Sequence, residues 1–155
     1  MKVLIVVLAS SRKLQVCTAK TLIVMATDPR VVTEFAFIQK VPVDEARNSA
    51  IDYFLEGDCD YMISIDEDVG CTKNPIDLCF LGYDIIFLPT PIIQGGEKKW
   101  NVHYLDNAPL SEVSKGGTGC FILSKKAAET IEKPLFNFKY DKNGRLELGE
   151  DYYFS

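Results

Sequence analysis

Two carboxylates at spacing two, Asp66 and Asp68, close the apolar run in Ile63-Ser64-Ile65-Asp66-Glu67-Asp68-Val69. In extended backbone that spacing sends both side chains the same way, with Glu67 pointing away. Crowded carboxylates repel, and the pKa of one rises unless a cation shares the site. A hard divalent ion with oxygen ligands, Mg2+ or Mn2+, is the natural partner; it would bridge these acids to phosphate oxygens and neutralise a departing diphosphate. A solvated acidic turn after a strand has the same sequence, so the triplet alone leaves both readings open.

The elements around the triplet decide where it lies. Residues 3–8 form a continuous apolar, β-branched run, the pattern of a central parallel strand covered on both faces. Polar Ser10, Ser11, Arg12 and Lys13 cut it too short for a signal peptide. Ser11 is placed to cap a helix over 13–26 with Leu14, Cys17, Leu22 and Met25 inward, and Asp28-Pro29 stops it. Residues 31–39 read as a second strand, after which Pro42 opens a helix that Gly57 closes, with Val43, Ala46, Ala50 and Phe54 as its inward stripe.

A third strand over 61–65, a short helix over 76–81 and a fourth strand over 84–88 complete a β-α-β-α-β-α-β order. That order predicts a parallel, doubly wound half-sheet with right-handed crossovers. Ligands of open α/β sheets bind at the carboxyl ends of the strands, where Asp66 and Asp68 fall. Past Pro89 the rhythm breaks: Pro91, Gly95-Gly96 and Asn107 mark irregular connections, and 100–105 reads as a strand of an antiparallel part. Residues 121–123 form a further strand running into a helix over 125–132, and Asn143-Gly144 is a hairpin turn.

Composition bounds the rest. With 155 residues, 47% apolar and 25% charged, the chain fits one globular domain. A domain of this size buries roughly 70% of its unfolded surface on folding. The net charge of -5 and the scattered Lys and Arg do not match a nucleic-acid binder. Cys17, Cys59, Cys71, Cys79 and Cys120 are odd in number and lack C-x-x-C spacing, which disfavours a zinc site or a disulfide framework and fits reduced thiols in a cytoplasmic protein. No apolar stretch approaches the roughly 20 residues of a membrane span.

Five segments, taken in order, resemble the GT-A fold glycosyltransferases, specifically their family 2-like members. They are Ala9-Ser10 after the first strand, Ala46-Arg47-Asn48, Asp66-Glu67-Asp68, Gly117-Thr118-Gly119-Cys120-Phe121 and Gly149-Glu150-Asp151, and together they span nearly the whole chain. The resemblance implies a Rossmann-like GT-A half-sheet of mainly parallel strands flanked by helices, with a smaller mixed or antiparallel C-terminal part. Residues 1–90 would be the nucleotide-binding half and 91–155 the donor-sugar and acceptor part of one domain.

The resemblance also implies metal-assisted transfer of a sugar from a nucleoside diphosphate sugar, UDP-sugars first, to a saccharide, lipid or protein acceptor. Ala9 and Ser10 would lie against the nucleoside and Arg47 would reach toward the nucleotide, although an ordinary exposed helix arginine fits the sequence equally well. Asp68 would bind the metal directly, with Asp66 toward the ribose or metal. Gly116, Gly117 and Gly119 would admit donor or acceptor close to the backbone, or simply form a turn. Asp151, assisted by Glu150, would take the acceptor proton; both are also suited to a helix N-terminus.

Other readings compete. The chain ends at Ser155, where relatives continue, so a shortened domain that binds nucleotide or carbohydrate without turnover is one alternative. Another is a haloacid-dehalogenase-like phosphatase, with Asp66 as nucleophile, Asp68 as acid/base and Ser124 in its second motif. A sugar nucleotidyltransferase would need a glycine-rich loop where Ala9-Ser10-Ser11-Arg12 stands. His103 is not assigned to the metal, and Trp100 is a candidate platform for a sugar face or a packing residue.

Overall fold

The computed structural model describes residues 1–11, 13–39, 42–104, 113–140, 142–143 and 146–148. Strand β1 (Lys2–Leu8) is buried from Val3 onward, as its unbroken apolar run requires. Strand alternation sorts its side chains into two layers. Val3, Ile5 and Val7 pack with Leu22 and Met25 of α1 (Val16–Ala26), whereas Leu4, Val6 and Leu8 pack with Ala46, Ala50 and Phe54 of α2 (Val43–Glu56).

β1 is flanked by β2 (Val32–Ile38) and β3 (Tyr61–Asp66) and runs parallel to both. Because α1 carries the chain to β2 on one side and α2 returns it to β3 on the other, strand order reverses between β1 and β3. Leu8 pairs with Asp66 at the carboxyl end of that seam.

The chain continues through α3 (Ile76–Cys79), β4 (Ile85–Phe87), β5 (Pro91–Gln94), β6 (Glu97–Trp100), β7 (Val102–Tyr104) and β8 (Val113–Gly116). It then forms β9 (Cys120–Ser124), α4 (Lys125–Thr130), β10 (Lys139–Tyr140) and β11 (Leu146–Leu148). The main sheet has the order β2-β1-β3-β9-β4. β9 is antiparallel to both of its neighbours. The fold is therefore a mixed α/β fold, a five-stranded mixed sheet flanked by helices, in which β2, β1, β3 and β4 run the same way and β9 alone runs against them. β9 fills the gap between β3 and β4, and the apolar pattern of a buried strand carries no information about its direction.

Two local expectations are also corrected. α1 starts at Val16, not near Lys13, and its N-cap residue, Gln15, makes no side-chain cap. Ser11 is engaged elsewhere, by Glu67, which leaves Leu14 and Cys17 exposed. Gly95 and Gly96, expected as an irregular connection, form the turn of the β5–β6 hairpin with φ of 62° and 82°. Two consecutive positive φ values define the type I′ turn that matches strand twist.

α2 begins after Pro42 and ends at Gly57 as expected, and its last carbonyls receive a cation. Lys125 Nζ donates to the carbonyls of Phe54, Leu55 and Gly57 at 2.7, 2.8 and 3.0 Å, a favourable charge at a helix C-terminus. β10 and β11 pair antiparallel around Asn143; Gly144 lies outside the described residues. No helix among the described residues is long and apolar enough to cross a membrane.

Candidate functional site

The acidic triplet sits where the two halves of the parallel seam diverge. Asp66 N–H donates to Gly119 C=O at 2.9 Å and Glu67 N–H to Leu8 C=O at 3.0 Å, so this segment is tied to β1 on one side and to the approach to β9 on the other. Val69 N–H then donates back to Asp66 C=O at 3.2 Å. The backbone here is a turn, not extended, so the same-side argument from strand alternation fails at Asp68. The two acids still share a cleft, because both border the space over the strand end.

Glu67 does not point idly away; it organises the loop after β1. Its carboxylate accepts from Ser10 Oγ at 2.7 Å, from Ser11 Oγ at 3.0 Å and from Ser11 N–H at 3.2 Å. Ser10 is thereby held by the protein itself at the rim of the cleft, and the Ser10 hydroxyl, more than any other group, draws the Glu67 pKa down. A carboxyl with a lowered folded-state pKa stabilises the fold above its ordinary value of 4.5 and loses that contribution as pH falls through the lowered value. The stability advantage of the wild type over Glu67→Gln should therefore shrink on acidification below pH 4.5; parallel urea titrations at neutral and acid pH test this, and a constant difference would count against it.

Helix α1 clamps the turn from below. Gln15 N–H and the buried Thr18 hydroxyl both donate to Glu67 C=O, at 3.0 and 2.9 Å, and Cys71 N–H donates to the buried Thr21 hydroxyl at 2.8 Å. At Gly70 a Cβ would lie 2.6 Å from Cys17 Cβ and 3.1 Å from Cys17 C, so only glycine permits this approach. Gly70→Ala should lift the loop from α1 and cost about 1–3 kcal/mol. Adding Cys17→Gly should recover part of the loss, less about 1 kcal/mol for a helical glycine. Thermal melts of the single and double variants decide it, and no recovery would place the strain elsewhere.

Arg47 is not an exposed helix arginine. It is 4% exposed, with Nη2 3.4 Å from Asp66 Oδ2 and its guanidinium 5.9 Å above the Phe136 ring. Its neighbour Asn48 exchanges two hydrogen bonds with the backbone of Phe136, at 2.8 and 3.1 Å, which holds that ring in place. Ala46 is packed in the core. The Ala46-Arg47-Asn48 triplet thus places a cation beside Asp66, so part of the expected carboxylate repulsion is relieved from within the chain.

Two clefts meet at Asp68. One, of about 240 Å³, lies over the β1–β3 seam and is walled by Ala9, Ser10, Ile38, Val43, Ala46 and the three acids. The other, of about 620 Å³, is walled by the 68–75 segment, the 88–91 segment, Trp100 and Cys120, a size typical of small-molecule sites. Trp100 is half exposed on its rim, with Lys98 Nζ 5.1 Å from the ring centre. Ala9 continues the β1–β2 ladder by donating to Ile38 C=O at 3.1 Å.

The glycines divide by role. A Cβ at Gly116 would strike the Phe87 ring at 2.2 Å, and one at Gly117 would meet Asn101 at 2.4 Å, so the space at both is filled by the protein's own side chains. Gly119 is looser, with Thr90 Oγ1 at 3.3 Å, and its carbonyl anchors Asp66. Asn101 joins the walls by accepting Thr90 N–H at 2.7 Å through its side chain and Gly117 N–H at 2.6 Å through its backbone. Glu150 and Asp151 lie outside the described residues, as does the side chain of His103.

Ser124 is excluded from this site. It pairs with Tyr61 at the start of β3, roughly 16 Å along the strand from Asp66. There it caps α4, accepting Ala127 N–H at 3.1 Å and donating to Asp84 at 2.9 Å. An antiparallel β9 thus carries Ser124 to the end of the sheet opposite the acidic turn. Glu34, Asp58 and Cys59 bring three ligand-type atoms within 4.8 Å of one another, away from the acidic turn. The Lys2 ammonium already serves that cluster, 2.6 Å from Glu34 and in contact with Asp58, and burial pushes the Cys59 thiol up to about 11.

No protein-family model matches this sequence, and no curated protein matches it significantly. Among solved structures it is similar to the crystal structure of A197 from STIV, with a TM-score of 0.66 at 20% identity, over 99% of this chain and 76% of that one. At that identity the likeness establishes the fold, an α/β architecture with a mixed central sheet.

Proposed function

We propose that the chain is a metal-dependent glycosyltransferase that takes a nucleoside diphosphate sugar, a UDP-sugar first, at the junction of the two clefts. The observation that carries this reading is the position of Asp68, exposed on a turn at the carboxyl end of the reversing seam and lining both clefts. The nucleoside would occupy the cleft of Ala9, Ser10 and Ile38, and the sugar and its acceptor the larger one by Trp100. Residues suited to Mg2+ or Mn2+ are Asp68 and Asp66, a donor set of hard oxygens open to solvent, which diphosphate oxygens and water would complete. The metal would carry the charge of the leaving diphosphate.

The chain's own groups supply the rest of the design. Arg47 offsets the charge of Asp66, Glu67 fixes the Ser10 loop at the cleft rim, and Thr18 and Thr21 hold the acid-bearing turn against α1. Asp151, with Glu150, is the proposed base for the acceptor hydroxyl. An assay of UDP release and sugar incorporation with Mn2+ tests this reading. Asp151→Asn should keep donor binding and lower transfer by about 10²- to 10⁴-fold. Full transfer by that variant would remove Asp151 from the mechanism, and donor binding without any release by the wild type would define a binding domain without turnover.

A further inference from the structure

Two thiols meet on the wall of the larger cleft. Cys71 lies in the chain leaving the acidic turn, half-buried and open to the cleft, while Cys120 opens β9 and is fully buried behind it. Their sulfurs are 3.9 Å apart. Both backbones are anchored, Cys71 to Thr21 and Cys120 in the β3–β9 ladder, so the two sulfurs are held as neighbours by the fold. Their contact draws the Cys71 pKa down, and the same contact, with burial, pushes that of Cys120 up. A cleft-facing thiol backed by a second, buried thiol is the arrangement of a redox-sensitive pair.

We propose that Cys71 is a site of oxidative modification and that Cys120 resolves it, forming a Cys71–Cys120 disulfide when the protein meets a hydroperoxide. In the first step the Cys71 sulfur attacks a peroxide oxygen, the O–O bond breaks, and Cys71 becomes a sulfenic acid as water leaves from hydrogen peroxide, or an alcohol from an organic hydroperoxide. In the second, the Cys120 sulfur attacks the Cys71 sulfur, the S–O bond breaks, and the oxygen leaves as water with the Cys120 proton. With hydrogen peroxide, two thiols surrender two electrons and two hydrogens, and the peroxide is reduced to two waters.

Closure requires the sulfurs to move from 3.9 Å to about 2.05 Å, with a Cβ–S–S–Cβ angle near a right angle. This movement is assigned to rotation of the Cys71 side chain. The disulfide would tie the segment behind Asp68 to β9. The other thiols lack such a partner: Cys59 and Cys79 are buried and pushed up to about 11 and 12 by that burial, and Cys17 is exposed with its sulfur on the Asp68 carbonyl.

The test is treatment of the folded wild-type protein with stoichiometric hydrogen peroxide, followed by denaturation, thiol titration and non-reducing peptide mapping. The expected result is loss of two of the five thiols, a mass lower by two hydrogens, and a Cys71–Cys120 linked peptide that a dithiol reductant releases. In Cys120→Ser the sulfenic acid on Cys71 should persist and be trapped by dimedone. In Cys71→Ser the linked peptide should vanish with no intramolecular substitute. Retention of all five thiols, a link between another pair, or an unmodified Cys71 in folded Cys120→Ser would each overturn the proposal.

Discussion

Asp68→Ala should weaken metal-dependent binding of UDP by more than about 100-fold while leaving the melting temperature within about 2 °C of the wild type. The first figure follows from the role of a direct ligand, since losing even a hydrogen-bonding partner of a ligand typically costs 10- to 100-fold in metal affinity. The second follows from position: Asp68 is exposed on a turn beyond β3 and outside both core layers, and exposed substitutions of this kind usually stay within ±0.5 kcal/mol. Equilibrium titration with UDP at fixed Mn2+, beside a thermal melt, separates the two. Unchanged binding would remove Asp68 from the metal site, and a large fall in melting temperature would show that the turn is structural.

Arg47→Met should have the opposite profile, a large loss of stability. Breaking a fully buried ion pair by removing one partner costs about 3–5 kcal/mol. Here Asp66 keeps 30% of its side chain open to solvent and the nearest approach is 3.4 Å, so screening lowers the expected cost to about 2–3 kcal/mol. In a chain of this length that is a fall of roughly 5–10 °C in Tm. Methionine keeps the apolar contact with Phe136, so most of the loss belongs to the charge. The double variant Arg47→Met/Asp66→Asn should regain part of it, because the Asp66 carboxylate no longer faces the missing cation. If the double variant is no more stable than the single one, the pair is not what Arg47 contributes.

The sequence was most informative where local pattern and burial coincide. The unbroken apolar run of β1 and the Ala46, Ala50, Phe54 stripe of α2 announced buried elements because their periods are set by strand and helix geometry. Pro42 and Gly57 marked the ends of α2 because each suits only one end of a helix. The antiparallel direction of β9 was not legible, since an apolar strand reads the same in both directions and only the tertiary gap between β3 and β4 orients it. Ser11 misled for a related reason: its capping chemistry is real but is used on Glu67, 56 residues away.

At the site, residue types were legible and partnerships were not. Asp66, Asp68, Ala9 and Ser10 do border one cleft. Arg47 read equally well as a surface residue, because nothing in the local pattern of a helix shows that a guanidinium will be buried against a strand-end carboxylate. Thr18, Thr21 and Gly70, which hold the acidic turn on α1, carried one available signal: two hydroxyls one turn apart on the face that also presents Leu22 and Met25. Gly116 and Gly117 looked like room for a ligand, yet that room is occupied by Phe87 and Asn101.

The most direct test of a metal-bridged nucleotide site at Asp66 and Asp68 is calorimetric titration of UDP and UDP-sugars into the protein, first with Mn2+ and then with EDTA. Saturable binding with Mn2+ that disappears in EDTA is the predicted result. Binding that is equal in both conditions, or absent in both, would contradict it.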